Sequence, residues 1–244
     1  MLIYIQAIIV VVTSGMLIIL AREKPPTPPS LSANRVVPPL QFNNEMISLF
    51  KNRNYMLLTL NACCLYANTS TLSAIVSALT KPYGFKGTDN ALFAVVFIVT
   101  GLVGTVFAGI MLDKYRKYKI SIILIAIVAM IAYGLTYLTL PTGVAGYFAA
   151  NLGLVGFGTL PVIPVCFAFA VELTYPIQEA MSNGMMVLPS KIYASLMGIA
   201  GGKLCEYSPK YALILFAANA VISFVASLFV KEDLRRLSLK RQSK

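Results

Sequence analysis

Gly109-Ile110-Met111-Leu112-Asp113-Lys114-Tyr115-Arg116-Lys117-Tyr118-Lys119 is a short polar run between two long apolar stretches, and its reading decides the fold. Before it, Asn90 to Leu112 is 23 residues without a charge; after it, the next charge is Glu172. A bilayer core takes about 20 apolar helical residues, so each flank is long enough to cross. The run therefore reads as a turn joining two membrane spans. Its cations belong on the cytoplasmic side, and Gly109 is expected to let the two helices approach.

Composition agrees. With 58% hydrophobic and 12% charged residues and a mean hydropathy of +0.77, the chain is too apolar for a soluble domain of 244 residues. The expected class is an all-α polytopic membrane protein, its main partner the lipid bilayer. The net charge of +11 does not imply nucleic acid, because the Lys and Arg residues cluster between apolar spans. The four cysteines, Cys63, Cys64, Cys166 and Cys205, form no CxxC pair and read as small buried apolar residues. There is no histidine. No metal site and no cofactor are expected, and Lys191 is the single ionisable side chain of the usual catalytic types within the spans, so no enzymatic activity is expected either.

Along the chain, residues 1–21 form a charge-free, helix-length span followed at once by Arg22-Glu23-Lys24. Residues 22–53 hold Pro25-Pro26-Thr27-Pro28-Pro29 and Pro38-Pro39 and read as an extended, exposed cytoplasmic linker. Residues 54–230 hold six further spans, and 231–244 is a basic cytoplasmic tail. In the span Asn54 to Thr80, Thr59, Ala62, Tyr66, Thr69, Ser70, Ser73 and Ser77 share one side, and Leu57, Leu65, Leu72, Ile75 and Leu79 the other. The polar side is expected to be wet or to face a ligand. Asn68 opens an Asn-Thr-Ser triplet but lies on the leucine side, so an interhelical hydrogen bond is expected there, not glycosylation. Pro141-Thr142-Gly143 breaks the uncharged stretch Ile120 to Val171 into two spans, the second bent around Gly153, Gly156, Gly158, Pro161 and Pro164. Glu172 to Glu179 reads as an acidic cytoplasmic turn, and Ala180 to Gly202 as a span holding Pro189 and Lys191.

Seven spans result. Fifteen of the 20 Lys and Arg residues then fall in the linker, the 113–119 turn and the tail, while Lys81, Lys86, Lys203 and Lys210 fall on the opposite side. The asymmetry sets the orientation. The expected location is the plasma membrane or an organelle membrane.

The run from Gly109 to Lys119 resembles the loop motif of the major facilitator superfamily, in which Asp and Arg/Lys at this spacing bridge neighbouring helices on the cytoplasmic face. More closely, the chain is similar to the feline leukaemia virus subgroup C receptor-related (FLVCR-like) transporters. The matching stretches are Arg22 to Ser30, Asn52-Arg53-Asn54-Tyr55, Gly109 to Lys119, Ala170 to Pro176, and Lys231-Glu232-Asp233-Leu234-Arg235-Arg236. The resemblance implies the second half of a twelve-helix solute carrier, with residues 1–21 as the sixth helix and the N-terminal lobe missing. It also implies rocking of two six-helix lobes about a small-molecule substrate, choline-like, haem-like or another small organic solute.

By the same resemblance, Tyr66 matches a tyrosine that holds a quaternary ammonium in choline-carrying members. Lys191 stands where those members have a cavity glutamine, and Ala168 where they often have a glutamate. Both changes are hostile to a cationic ligand. Tyr66, Lys191, Thr69 and Ser70 are the candidate substrate contacts. Asp113, Arg116, Lys117, Glu172 and Glu179 are the candidate cytoplasmic gate. An intramembrane lysine costs about 2.5–3.5 kcal/mol on insertion scales and needs a partner or a wet cavity. Its spacing neighbours Gly184, Val187, Leu188, Ala194, Ser195 and Gly198 are mostly small, and no acid lies within the spans, so an acidic partner would have to come from the other lobe. A non-transporting membrane receptor or scaffold is the alternative reading.

Overall fold

The computed structural model describes residues 2–20 and 42–233. The proline-rich part of the expected linker and the tail from residue 234 lie outside the described residues. Among those described there are nine α-helices and no strand: α1 Leu2–Leu20, α2 Phe42–Lys51, α3 Arg53–Thr80, α4 Gly87–Tyr115, α5 Tyr118–Thr139, α6 Ala145–Thr159, α7 Val162–Thr174, α8 Glu179–Tyr207 and α9 Pro209–Phe229. The chain divides into two compact units at Gln41/Phe42. The first contains α1, a 19-residue apolar helix whose Thr13 hydroxyl donates back to the Ile9 and Val10 carbonyls. The second is the helical lobe.

Within the lobe, five helical stretches are long and apolar enough to cross a membrane: Arg53–Tyr83, Gly87–Tyr115, Tyr118–Thr142, Ala145–Thr174 and Pro209–Phe229. α8 has the length, 29 residues, but is less apolar, carrying Glu179, Lys191, Lys203 and Glu206. It runs five residues beyond the expected end at Gly202. α3 is the central column and packs on α7, α8 and α9; α4 lies against α6, and α5 against α6 and α9.

The expected extended linker is corrected at Phe42–Lys51, which forms α2, and at Arg53, which opens α3. The apolar Met46, Ile47, Leu49 and Phe50 recur at helical spacing among Glu45 and Lys51, and Leu49 is buried against the lobe. Asn52 then caps α3, its side-chain oxygen accepting from the amides of Asn54 and Tyr55 at 3.1 and 3.2 Å. The same short motif ties the helix ends together. Asn52 Nδ2 donates to the Leu173 carbonyl, Tyr55 Oη to the Ser182 carbonyl at 2.6 Å, and Lys231 N to Asn54 Oδ1 at 3.1 Å.

The turns follow their glycines. Gly84 and Gly143 end short 3₁₀ turns, Lys81–Tyr83 and Leu140–Thr142, with φ of +82° and +67°, a region open to glycine. Phe85 swings back to pack on Phe93 and Phe148 at ring separations of 5.4 and 5.8 Å. α4 begins at Gly87, earlier than the expected Asn90, because Asp89 accepts from the Lys86 amide and closes its first turn. At its other end the polar run is mostly helix. Asp113 and Lys114 belong to α4, and the turn itself is Arg116-Lys117, with Arg116 left-handed at φ 49°.

Close packing is concentrated between α4 and α6. Gly101 and Gly104 of α4 face Leu160 and Phe157; Gly153 and Gly156 of α6 face Val96, Thr100 and Phe97. A Cβ at Gly104 would land on the Phe157 carbonyl oxygen, and one at Gly156 on the Phe97 carbonyl oxygen. Thr100 Oγ1 donates across the seam to the Gly153 carbonyl at 2.8 Å. Gly109 does not serve this purpose: it is exposed, and nothing lies within 4 Å of where its Cβ would be. The bent span divides at Leu160–Pro161 into α6 and α7, as proline removes the backbone donor that would continue α6.

Candidate functional site

α3 presents two different surfaces. On the leucine side, Leu65, Leu72, Ile75 and Leu79 are buried. Asn68 sits among them, fully buried, donating to the Phe216 carbonyl at 2.9 Å and accepting from Asn219 Nδ2 at 2.8 Å. Asn219 also donates to the Cys64 carbonyl, and its oxygen accepts from Tyr193 Oη at 2.8 Å. A second link joins Asn61 Nδ2 to the Ser223 hydroxyl and carbonyl at 2.9 and 3.0 Å. These bonds clamp α3, α8 and α9 where water is excluded. The Asn68 amide is thus an interhelical hydrogen-bonding group.

The polar side of α3 divides along its length. Thr59 and Ala62 are buried, Tyr66 and Thr69 half-buried, and Ser70, Ser73 and Ser77 exposed. Thr69 Oγ1 bonds the Leu65 carbonyl in its own helix, and Ser73 Oγ the Thr69 carbonyl. Nearer the end of α3, Asn90 of α4 donates to Ser77 Oγ and accepts from Thr80 Oγ1.

Tyr66 and Lys191, 125 residues apart in sequence, meet between α3 and α8. The Lys191 ammonium donates to the Tyr66 hydroxyl and lies 4.4 Å from the centre of its ring. Lysine thereby finds a hydrogen bond at the hydroxyl end of an aromatic side chain. The partner required by an intramembrane cation is a phenol of this lobe. The sequence left both a cavity and an acid of another lobe open for this lysine, and it did not reveal that α3 and α8 are adjacent.

The pair borders a cavity of about 210 Å³ lined by Tyr66, Ile163, Phe167, Met186, Val187, Ser190 and Lys191. α7 supplies Ile163 and Phe167, and α8 supplies the apolar Met186 and Val187 together with the polar Ser190 and Lys191. Ser190 Oγ donates to the Met186 carbonyl and shares a hydrogen bond with Cys63 Sγ at 3.3 Å. Thr69 and Ser70 stand outside this lining, Ala168 is half-buried beside it in sequence, and the small residues Gly184 and Gly198 have open space around them. Ile163 and Phe167, four residues apart on α7, were not singled out by sequence; the only signal was their helical spacing after the Pro161 break. All four cysteines are free and buried.

The gate candidates occupy distinct environments. Asp113, Arg116 and Lys117 are exposed at the junction of α4 and α5. Glu179 is exposed in the first turn of α8. Glu172 is not in a turn: it is buried in the last turns of α7, because that helix continues to Thr174.

Residues 58–244 match the model of the Major Facilitator Superfamily, and the chain belongs to that superfamily. It is an integral, multi-pass membrane protein. It is also similar to proteins named choline/ethanolamine transporters. It is 28% identical over 237 residues to FLVCR2 of Homo sapiens, covering 93% of this chain and 44% of that protein. The match to FLVCR1 of Felis catus is 28% over 226 residues, 90% of this chain and 40% of the relative. For flvcr2a of Danio rerio it is 28% over 252 residues, 98% and 52%. The chain spans about half the length of these curated relatives.

Proposed function

We propose that this lobe forms one half of a solute carrier that works by alternating access, with Tyr66 and Lys191 contacting the solute. Thr69 and Ser70 lie farther along the same polar face, on its path. Residues 1–21 serve as a leading transmembrane helix, 22–53 as the inter-lobe linker, 54–230 as the lobe and 231–244 as a cytoplasmic tail. Asp113, Arg116, Lys117, Glu172 and Glu179 form the cytoplasmic gate. The observation that carries the reading is the Lys191–Tyr66 contact at the border of a cavity between α3, α7 and α8. Intramembrane ionisable groups mark substrate or ion pathways by default, and a site in the middle of helices is where rocking lobes meet. The names of the relatives support a small-molecule solute. The test is uptake of radiolabelled choline, ethanolamine and small organic acids into cells expressing the native gene product, with Tyr66→Ala and Phe167→Ala compared at equal surface expression. Both substitutions should reduce uptake of the transported solute at least tenfold; unchanged uptake would remove the cavity from the path.

A further inference from the structure

Resting on the reading of this cavity as the solute site, we propose that Lys191 makes it a receptor for a small organic anion with an apolar body, and that it shuts out cations. The ring face of Tyr66 attracts an ammonium through its quadrupole, but the chain's own ammonium already sits at the hydroxyl end of that ring, 4.4 Å from its centre. A cationic solute seeking that face meets a like charge a few ångströms away. An anion meets no such barrier. The Lys191 ammonium carries three N–H donors, one of which goes to the Tyr66 hydroxyl, so carboxylate or phosphate oxygens have donors to take up.

The remaining lining agrees in kind. Ile163, Phe167, Met186 and Val187 are apolar, and the lining contains no carboxylate to balance the ammonium or to bind a cation. Ser190 spends its hydroxyl on the Met186 carbonyl and on Cys63. The site therefore offers one positive group at the edge of an apolar wall, suited to a charged head and a short hydrocarbon body. At the end of the lobe opposite the 113–119 turn, exposed Lys81, Lys86, Lys203 and Lys210 outnumber Asp89 and Glu206. That excess of positive charge raises the local concentration of anions before they enter.

The experiment uses the native gene product in nanodiscs and four radiolabelled probes, butyrate, butyramide, butylammonium and choline, in equilibrium binding. Three share one apolar body and differ only in head charge. Butyrate should bind at least tenfold tighter than butyramide, and butylammonium and choline should not bind measurably. Lys191→Gln should weaken butyrate at least tenfold and admit choline, whereas Lys191→Arg should keep the preference for the anion. Each variant is scored only if its gel-filtration profile and melting temperature match the wild type; if Lys191→Gln fails that check, Lys191→Met takes its place. Choline or butylammonium binding that depends on Tyr66 and Phe167 would overturn the anion assignment and leave the solute site standing. Equal affinity for butyrate and butyramide would do the same. Failure of all four probes to bind would overturn both.

Discussion

At the scale of single residues, the lobe has to place polar side chains where neither water nor lipid satisfies them. Asn219 is the centre of the buried network, donating to the Cys64 carbonyl and to Asn68 and accepting from Tyr193. Replacing it with Leu would leave the Asn68 oxygen and the Tyr193 hydroxyl short of partners in a region with no solvent. A buried group left unsatisfied costs about 1–3 kcal/mol, so Asn219→Leu should lower the thermal midpoint in detergent by several degrees. Ser70→Ala, at an exposed position, should leave it unchanged. Equal melting of the two variants would show that the network contributes nothing. Lys191 follows the same logic with a different outcome, because its partner is an aromatic hydroxyl, not an acid. A phenol holds the ammonium without neutralising it, so the positive charge is retained for a ligand.

Among the elements, the α4–α6 seam relies on glycines alternating with backbone. Gly104 and Gly156 allow each helix to bring its main chain against the other's, and Thr100 adds a hydrogen bond across the gap. Gly156→Leu has nowhere to put its side chain, because the first added carbon meets the Phe97 carbonyl. Overpacking commonly costs about 1–3 kcal/mol, and a clash with main chain lies at the upper end since no rotamer relieves it. Gly146→Leu is the matched control, with nothing within 4 Å of its Cβ. Gly156→Leu should melt well below wild type and Gly146→Leu close to it; similar melting would mean that α4 and α6 separate without penalty. These elements also show what a sequence reveals. The 141–143 turn and the bend near Pro161 were legible because glycine and proline act locally, whereas the ends at Gly87, Thr174 and Tyr207 lie three to five residues outside the expected spans because a helix can carry charge in its terminal turns. Gly109 was misread because small residues mark possible approach, not the partner that approaches. α2 was hidden by the prolines before it, and the Tyr66–Lys191 contact by the 125 residues between its members. Hydrophobic periodicity identifies a face but not the helix opposite it.

For the whole molecule, charge arranges the chain across the bilayer. The α4–α5 junction exposes Lys114, Arg116 and Lys117, and the α3–α4 junction, a full helix length away, exposes Lys81 and Lys86. Local charge alone does not separate the two ends. On the proposed span order the linker and the tail, with eleven further Lys and Arg, fall on the same side as the 113–119 turn, and short basic segments are retained on the cytoplasmic side during insertion. The 113–119 turn should therefore be cytoplasmic and Lys86 should face the opposite compartment. Single cysteines at 117 and 86 would report this in a background lacking Cys63, Cys64, Cys166 and Cys205. Both positions are exposed, so a membrane-impermeant maleimide reaches whichever one faces it. In intact cells displaying the protein at the surface, Lys86→Cys should label at once and Lys117→Cys only after permeabilisation. The native cysteines are buried, so their replacement by Ala or Ser removes background without touching an exposed surface. Labelling at 117 before permeabilisation would invert the orientation, and with it would move the proposed gate at Asp113, Arg116 and Lys117 to the other side of the membrane.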